Sequence, residues 1–364
     1  MQNTTISASS VFRLSALAAA LALAGCGGGG GSDSPSGSNT GTGGTGTPIT
    51  CTAPQVLVNG VCTTPSPTVT PPDLQTTVPT PTYAPGSPEL NAFNEINAVR
   101  ASLGLGLVAQ NAYLDLAAKN HATYIAQNFE TDRSVWGHIE NAAYPGFTGI
   151  TSSDRARFAG YGGNAGEILT QDAPDAYSLT PVQGFLNSVY HRVGIIDNCT
   201  REIGIGEFTK VLKNNIPFVP FVINGGGKTC QRNASDFVMH YPASGQTNLP
   251  VTMMAESPNP IKDLPLNADG SLDFLQTSYP ISVASVPGTT IAVTSMTVTA
   301  QGETTPLPMT TITAATDPNP GYLSSNWIFF VGKAPFKAKT TYNVAFVGTV
   351  NGATITQNWS FTTR

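Results

Sequence analysis

Gly137-His138, Gly160-Tyr161, Gly166-Glu167, Tyr190-His191-Arg192 and Glu202-Ile203-Gly204-Ile205-Gly206 follow one another in a single stretch of the chain. Two of the four histidines and one acid stand there at glycine-framed positions. Helix signals surround them. Ser87-Pro88 places a capping side chain before a proline at the first helical position, and Leu90, Phe93, Ile96 and Val99 then recur at helical spacing. A second amphipathic helix is predicted over about 112–129, with Leu114, Ala118, His121 and Ile125 on its apolar stripe. His121 on that stripe reads as a core histidine with a local hydrogen bond rather than a metal ligand. Thr151 and Asp154 start a short helix that Gly160 ends. Thr180-Pro181-Val182-Gln183 is a capping box opening a helix that His191 is expected to close. Strand patterns follow at Glu202–Thr209, Phe218–Asn224 and Phe237–Tyr241, the last leaving His240 facing outward or toward the sheet edge.

This combination resembles the CAP superfamily (cysteine-rich secretory proteins, antigen 5 and pathogenesis-related 1 proteins), particularly its bacterial members, over residues 88–245. The resemblance implies an α+β fold, with a small antiparallel sheet between helical layers. Carried over residue by residue, His138 matches the family's first site histidine, Glu167 its motif acid and His191 its second histidine. Two positions depart from the pattern. Ile168 stands where asparagine is usual, and Ser188, three residues after Phe185, stands where a second acid is expected. Glu140 shares a face with His138 if that segment is extended, and so is a candidate replacement.

The cleft expected from this set is His138, Glu167, Ser188 and His191. Two imidazoles and a carboxylate suit one divalent cation such as zinc, with an open water position, so His138, His191 and Glu167 are metal candidates. The competing account has the same groups hydrogen-bonding one another to fix the cleft, and both stay open. Catalysis has less behind it: Gly-x-Ser-x-Gly is absent, and a Ser188–His191 pair lacks an orienting aspartate. Tyr161–Gly166 is glycine-rich but precedes no clear helix, which argues against a phosphate cradle. Arg192 is expected to support the fold through an ion pair.

Outward from this stretch the composition changes. Only 11% of the 364 residues are charged, with a formal net charge of −5. Residues 88–245 hold 11 Lys/Arg against 14 Asp/Glu, which speaks against nucleic acid as a partner. Residues 1–25 read as an export signal with an apolar stretch from Leu14 to Ala24, too short to span a bilayer permanently. Leu23-Ala24-Gly25-Cys26 resembles the bacterial lipobox, which implies a lipid on Cys26 and, with Gly27 next, an outer-membrane address. Residues 26–87 read as a disordered tether, because Gly27–Ser87 contains no Lys or Arg and is dominated by Gly, Ser, Thr and Pro. Within it Asn59-Gly60 supplies a hairpin turn that a Cys51–Cys62 disulfide would staple. Cys199 and Cys230 then pair within one domain, on an export route that permits disulfides.

Residues 246–364 alternate as strands at Ile281–Val286, Thr290–Thr299, Met309–Ala314 and Trp327–Val331. They end in a hairpin, Thr341–Val350 and Ala353–Thr363, across Asn351-Gly352. The closing Trp359 and Phe361 resemble the last strand of bacterial immunoglobulin-like domains, an all-β sandwich with a spacer or adhesion role. The sequence therefore predicts an exported, lipid-anchored protein that binds a lipid, sterol, glycan or envelope partner without catalysis. A metal-assisted envelope hydrolase and a glycan-binding adhesin are the alternatives. Ligand and oligomeric state are not legible at this level.

Overall fold

The computed structural model describes residues 56–58, 61–63, 72–172, 179–268 and 270–364. The chain divides into two compact units, Met1–Ser66 and Pro67–Arg364. In the first, strands β1 (Val56–Val58) and β2 (Val61–Thr63) pair antiparallel with Val58 opposite Val61, the hairpin expected around Asn59-Gly60. The signal segment, Cys26, Cys51 and most of the tether lie outside the described residues. The tether's last part, 72–87, expected to be disordered, is instead seated on the second unit: Asp73 bridges Arg232, and Gln75 donates to the carbonyls of Leu107 and Arg201 at 3.0 Å each.

The second unit opens with α1 (Pro88–Ser102), whose N-cap Ser87 accepts from the Leu90 amide as expected. Strand β3 (Ala109–Gln110) leads to α2 (Ala112–Asn128) and then to α3 (Ser152–Ala159), which carries the Thr151/Asp154 capping box and ends at Gly160 with φ 104°. The chain continues through β4 (Ala165–Gln171), α4 (Pro181–Leu186), α5 (Tyr190–Ile196), β5 (Glu202–Glu207), a small hairpin of β6 (Lys210–Val211) and β7 (Pro217–Phe218), and β8 (Pro220–Gly226). These form a four-stranded sheet in the order β3-β5-β8-β4.

The Gly204-Ile205-Gly206 alternation decides how helices cover this sheet. Gly204 and Gly206 turn to α2, where a Cβ would lie 2.0 Å from the Asp115 amide nitrogen and 2.3 Å from that of Lys119. Ile203 and Ile205 turn to the other face and join Phe93 and Ile96 of α1 in the main core. Helices α2 and α3 therefore cover one side of the sheet, and α1, α4 and α5 contact the other. The expected layered α+β arrangement is present. Cys199 and Cys230 are bridged, as the sequence predicts.

Glu167 sits on strand β4, paired to Asn224 of β8. Two local expectations need correcting. Gln183 does not close a capping box: Thr180 accepts from its amide, but its side chain donates to Glu95. The helix breaks at Asn187–Val189, because Ser188 Oγ bonds the Phe185 carbonyl, so His191 opens a new helix instead of ending the old one.

The strand expected at Phe237–Tyr241 forms as β9 (Val238–Tyr241), but in a different sheet. It pairs with β11 (Ile281–Ser285), giving the order β13-β14-β11-β9 with β13 (Met309–Thr313) and β14 (Trp327–Gly332). A second sheet orders β10-β16-β15-β12, from Gln246–Leu249, Ala353–Thr363, Thr341–Val350 and Ile291–Ala300. Rings cross between the two sheets: Phe330 to Phe346 at 6.1 Å, and His240 stacked on Trp359 at 4.2 Å. His240 thus points into the sandwich rather than outward, and burial lowers its pKa.

Every residue of β11 and β14 is buried, because this sheet is covered on both faces. One face meets the second sheet. Against the other lies Arg192 of α5, which donates to the carbonyls of Leu186 at 2.8 Å and Pro280 at 2.7 Å and to Ser282 Oγ at 3.1 Å. Its guanidinium stacks 4.8 Å from Tyr241 and 5.3 Å from Tyr279. The expected ion pair is replaced by carbonyls and aromatic faces, which satisfy a fully buried cation without a carboxylate. Tyr190 adds a hydrogen bond to Asp317, across the same junction. The helical and β parts share one continuous apolar core.

Candidate functional site

The site begins where β4 brings Glu167 between α2 and α3. Its side chain is 2% exposed, with Oε2 accepting from Arg155 of α3 at 2.7 Å and Oε1 from His138 Nδ1 at 3.0 Å. Asn224, oriented so that both ends of its amide are satisfied, donates to Oε2 at 3.1 Å. Burial alone would raise the Glu167 pKa. The charge of His121, the His138 hydrogen bond and Arg155 outweigh it and pull the carboxyl down to about 2.

His121 is fully buried, as the core reading of the α2 stripe requires, but it is also wired to the site. Its Nδ1 lies 2.9 Å from Glu140, and its Nε2 lies 2.9 Å from the Gly137 carbonyl and 3.5 Å from Glu167. Both ring nitrogens thus face oxygen atoms of the protein. Glu140 completes this buried network, with Oε2 accepting from the Thr148 amide at 2.7 Å. It turns inward to His121 and does not serve His138 as the missing acid, because the loop 137–150 folds back over α2 and α3.

That acid comes from elsewhere. His191 Nδ1 lies 2.9 Å from Glu256, a residue of the segment that enters the β sandwich. The Glu256 side chain is fully buried and also accepts the amides of Val189 and His191 at 2.9 Å each. Val189 has no capping side chain, so a carboxylate 67 residues downstream of it caps α5 while orienting the ring of His191. The supplying segment is pinned by Met254 N to Asn187 O at 2.8 Å and by Asn319 to Asn259 O at 2.8 Å.

His138, His191 and Glu256 line a cleft of about 400 Å³ with Trp136, Phe185 and Met254. Glu167 stands behind it, holding His138. The His138 side chain is 43% exposed and that of His191 18%, and among the described residues Nε2 of neither ring has a protein partner. Ser188 lines the cleft, but its hydroxyl is committed to Phe185 O at 2.8 Å and is 3.5 Å from His191 Nδ1, which Glu256 already engages. No Ser–His nucleophile pair forms. Ile168, at the position where asparagine was expected, is buried against Gly194 of α5, where a Cβ would lie 2.8 Å from its methyl group.

Among the described residues no three His, Cys, Asp or Glu side chains are grouped to hold a metal ion. Glu167 has both oxygens engaged by protein donors, so a His138–Glu167–His191 ligand set does not fit as three direct ligands. The chemistry present is two imidazoles, each oriented through Nδ1 by a buried carboxylate, with Nε2 left as the working atom.

Residues 93–207 match the family model described as CAP, the Cysteine-rich secretory protein family. The match covers just under a third of the 364 residues and ends well before Glu256. Partial likeness to two solved structures accompanies it. A protein from Bacillus anthracis str. Ames, an extracellular protein containing an SCP domain, is 22% identical over 39% of this chain and 40% of that one, with a TM-score of 0.31. An outer surface protein from Borrelia burgdorferi is 20% identical over 40% of this chain and 97% of that one, with a TM-score of 0.30. The chain thus spans about two fifths of the Bacillus protein. No curated protein matches it.

Proposed function

We propose that the chain is an exported, lipid-anchored binding protein whose cleft recognises a polar group of an envelope partner without chemical turnover. One observation carries the reading: His138 and His191 are each held through Nδ1 by Glu167 and Glu256, leaving two oriented Nε2 atoms beside an aromatic and thioether wall. Preorganised polar atoms in a largely apolar cleft favour recognition, whereas the Ser188 hydroxyl beside His191 is already committed to the Phe185 carbonyl. The anchor rests on Leu23-Ala24-Gly25-Cys26. Among the described residues no helix is long and apolar enough to cross a membrane.

The test is equilibrium binding of the full chain to purified envelope fractions, namely murein, lipopolysaccharide and phospholipid vesicles. A His138→Ala/His191→Ala double variant should bind its preferred fraction at least tenfold more weakly. Equal binding by both proteins, or release of product from the fraction by the wild type alone, would overturn the reading.

A further inference from the structure

At the other end of β4 from the cleft lies a groove of about 550 Å³, larger than the cleft itself. It is built where the N-terminus of α2, the turn after α3, the start of β5 and the turn after β8 meet. Tyr113, in the first turn of α2, is 54% exposed, and its ring packs so closely on Gly160 that a Cβ there would be 3.0 Å from it. Gly160 also holds φ 104°, so glycine is required twice over. Tyr161 is seated in the same way against Gly226, where a Cβ would meet its hydroxyl at 2.3 Å.

Between the two rings stands Glu202. Its Oε2 accepts from Tyr161 Oη and Asn111 Nδ2 at 3.1 Å each, which fixes the carboxylate while Oε1 keeps no protein partner among the described residues. The Tyr113 hydroxyl and the Lys228 ammonium are likewise without protein partners there. Arg201, paired with Asp73, closes the rim. Two acids and two bases line the groove, so its formal charges cancel in a chain where only 11% of residues are charged.

We infer that this groove is a second binding site, for a neutral saccharide. An exposed tyrosine face suits the apolar C–H face of a pyranose, while an oriented carboxylate oxygen and an ammonium suit neighbouring hydroxyls as acceptor and donor. Balanced charge disfavours polyanions and cations alike. The polar rim, with unpartnered groups, disfavours an acyl chain, which would strip water from them without return. The volume lies within the roughly 300–1,000 Å³ typical of small-ligand sites and accommodates two or three sugar rings.

The experiment is an array of immobilised neutral oligosaccharides, with sulfated and phosphorylated glycans alongside, probed with the full chain. At least one neutral glycan should be retained, and Tyr113→Ala, which alters only an exposed ring, should weaken that binding at least tenfold. Glu202→Gln should do the same, and the His138→Ala/His191→Ala variant should bind as the wild type does. Retention of charged glycans only, no retention at all, or retention unchanged in Tyr113→Ala would each overturn the inference. Loss in the double-histidine variant would assign the sugar to the cleft instead, and would overturn it equally.

Discussion

Glu167 carries the residue-scale consequence that can be measured directly. Its pKa is held at about 2, below the ordinary carboxylate value of about 4.3. A depressed acid contributes stability that is complete above its unfolded-state pKa and is lost as pH falls through the folded one. Between about pH 5 and pH 2 the folded state should therefore lose stability faster than an average carboxylate content explains. Glu167→Gln should be less stable at pH 7, with the buried Arg155 deprived of its 2.7 Å carboxylate partner, but should show a shallower decline over that window. Denaturant titrations at closely spaced pH check it, and equal slopes in the two proteins would remove Glu167 as the cause.

At this scale the sequence was readable wherever a residue's partner is local. His138, Glu167 and His191 are legible through their short motifs and the family resemblance those motifs carry, and His121 through its helical stripe, because each signal lies within a few positions. Glu256 left no such trace. It sits 65 positions from His191 in a segment with no motif, and only the packing of one domain on another brings its carboxylate to the amides of α5. Glu140 was misjudged for the same reason: an assumed extended segment turns out to be a folded loop whose acid points to the core.

At the scale of elements, the Gly204-Ile205-Gly206 alternation fixes the contact between β5 and α2. Gly204→Ala would drive a methyl group into backbone atoms of Leu114 and Asp115, which cannot rotate away. The expected cost is about 3 kcal/mol, on the order of overpacking a rigid site, while Gly162→Ala, with open space around it, should stay near neutral. Thermal unfolding of both variants separates the two cases, and similar midpoints would show that α2 can lift from the sheet. Six strands of the C-terminal part, β11 to β16, are legible almost to the residue, since period-two alternation and Asn-Gly turns are local signals, whereas β10 is not. Strand β9 was placed in the wrong sheet, because alternation says that a strand exists and nothing about which neighbour it pairs with.

For the whole second unit, the shared core argues against two independent domains. Arg192, Tyr190, Glu256 and the doubly covered β11 and β14 all depend on groups from both parts. Domains joined by a large apolar interface should melt together. Calorimetry of the chain from Pro67 onward should show one cooperative transition, whereas a fragment of 88–245 should fail to reach it. Two separable transitions in the intact chain would show that the junction is incidental. Nothing local marks this junction: a run such as Trp327-Ile328-Phe329-Phe330-Val331 reports that both faces are covered, not by what.

Since the family match stops at 207 while the carboxylate for His191 stands at 256, inheritance of the site spans a recognised module and its neighbour. A gene rearrangement that joined this CAP segment to a foreign downstream domain would keep every residue by which the family is recognised and still leave α5 uncapped. The cap of α5 and the orientation of His191 therefore depend on a carboxylate outside the matched stretch.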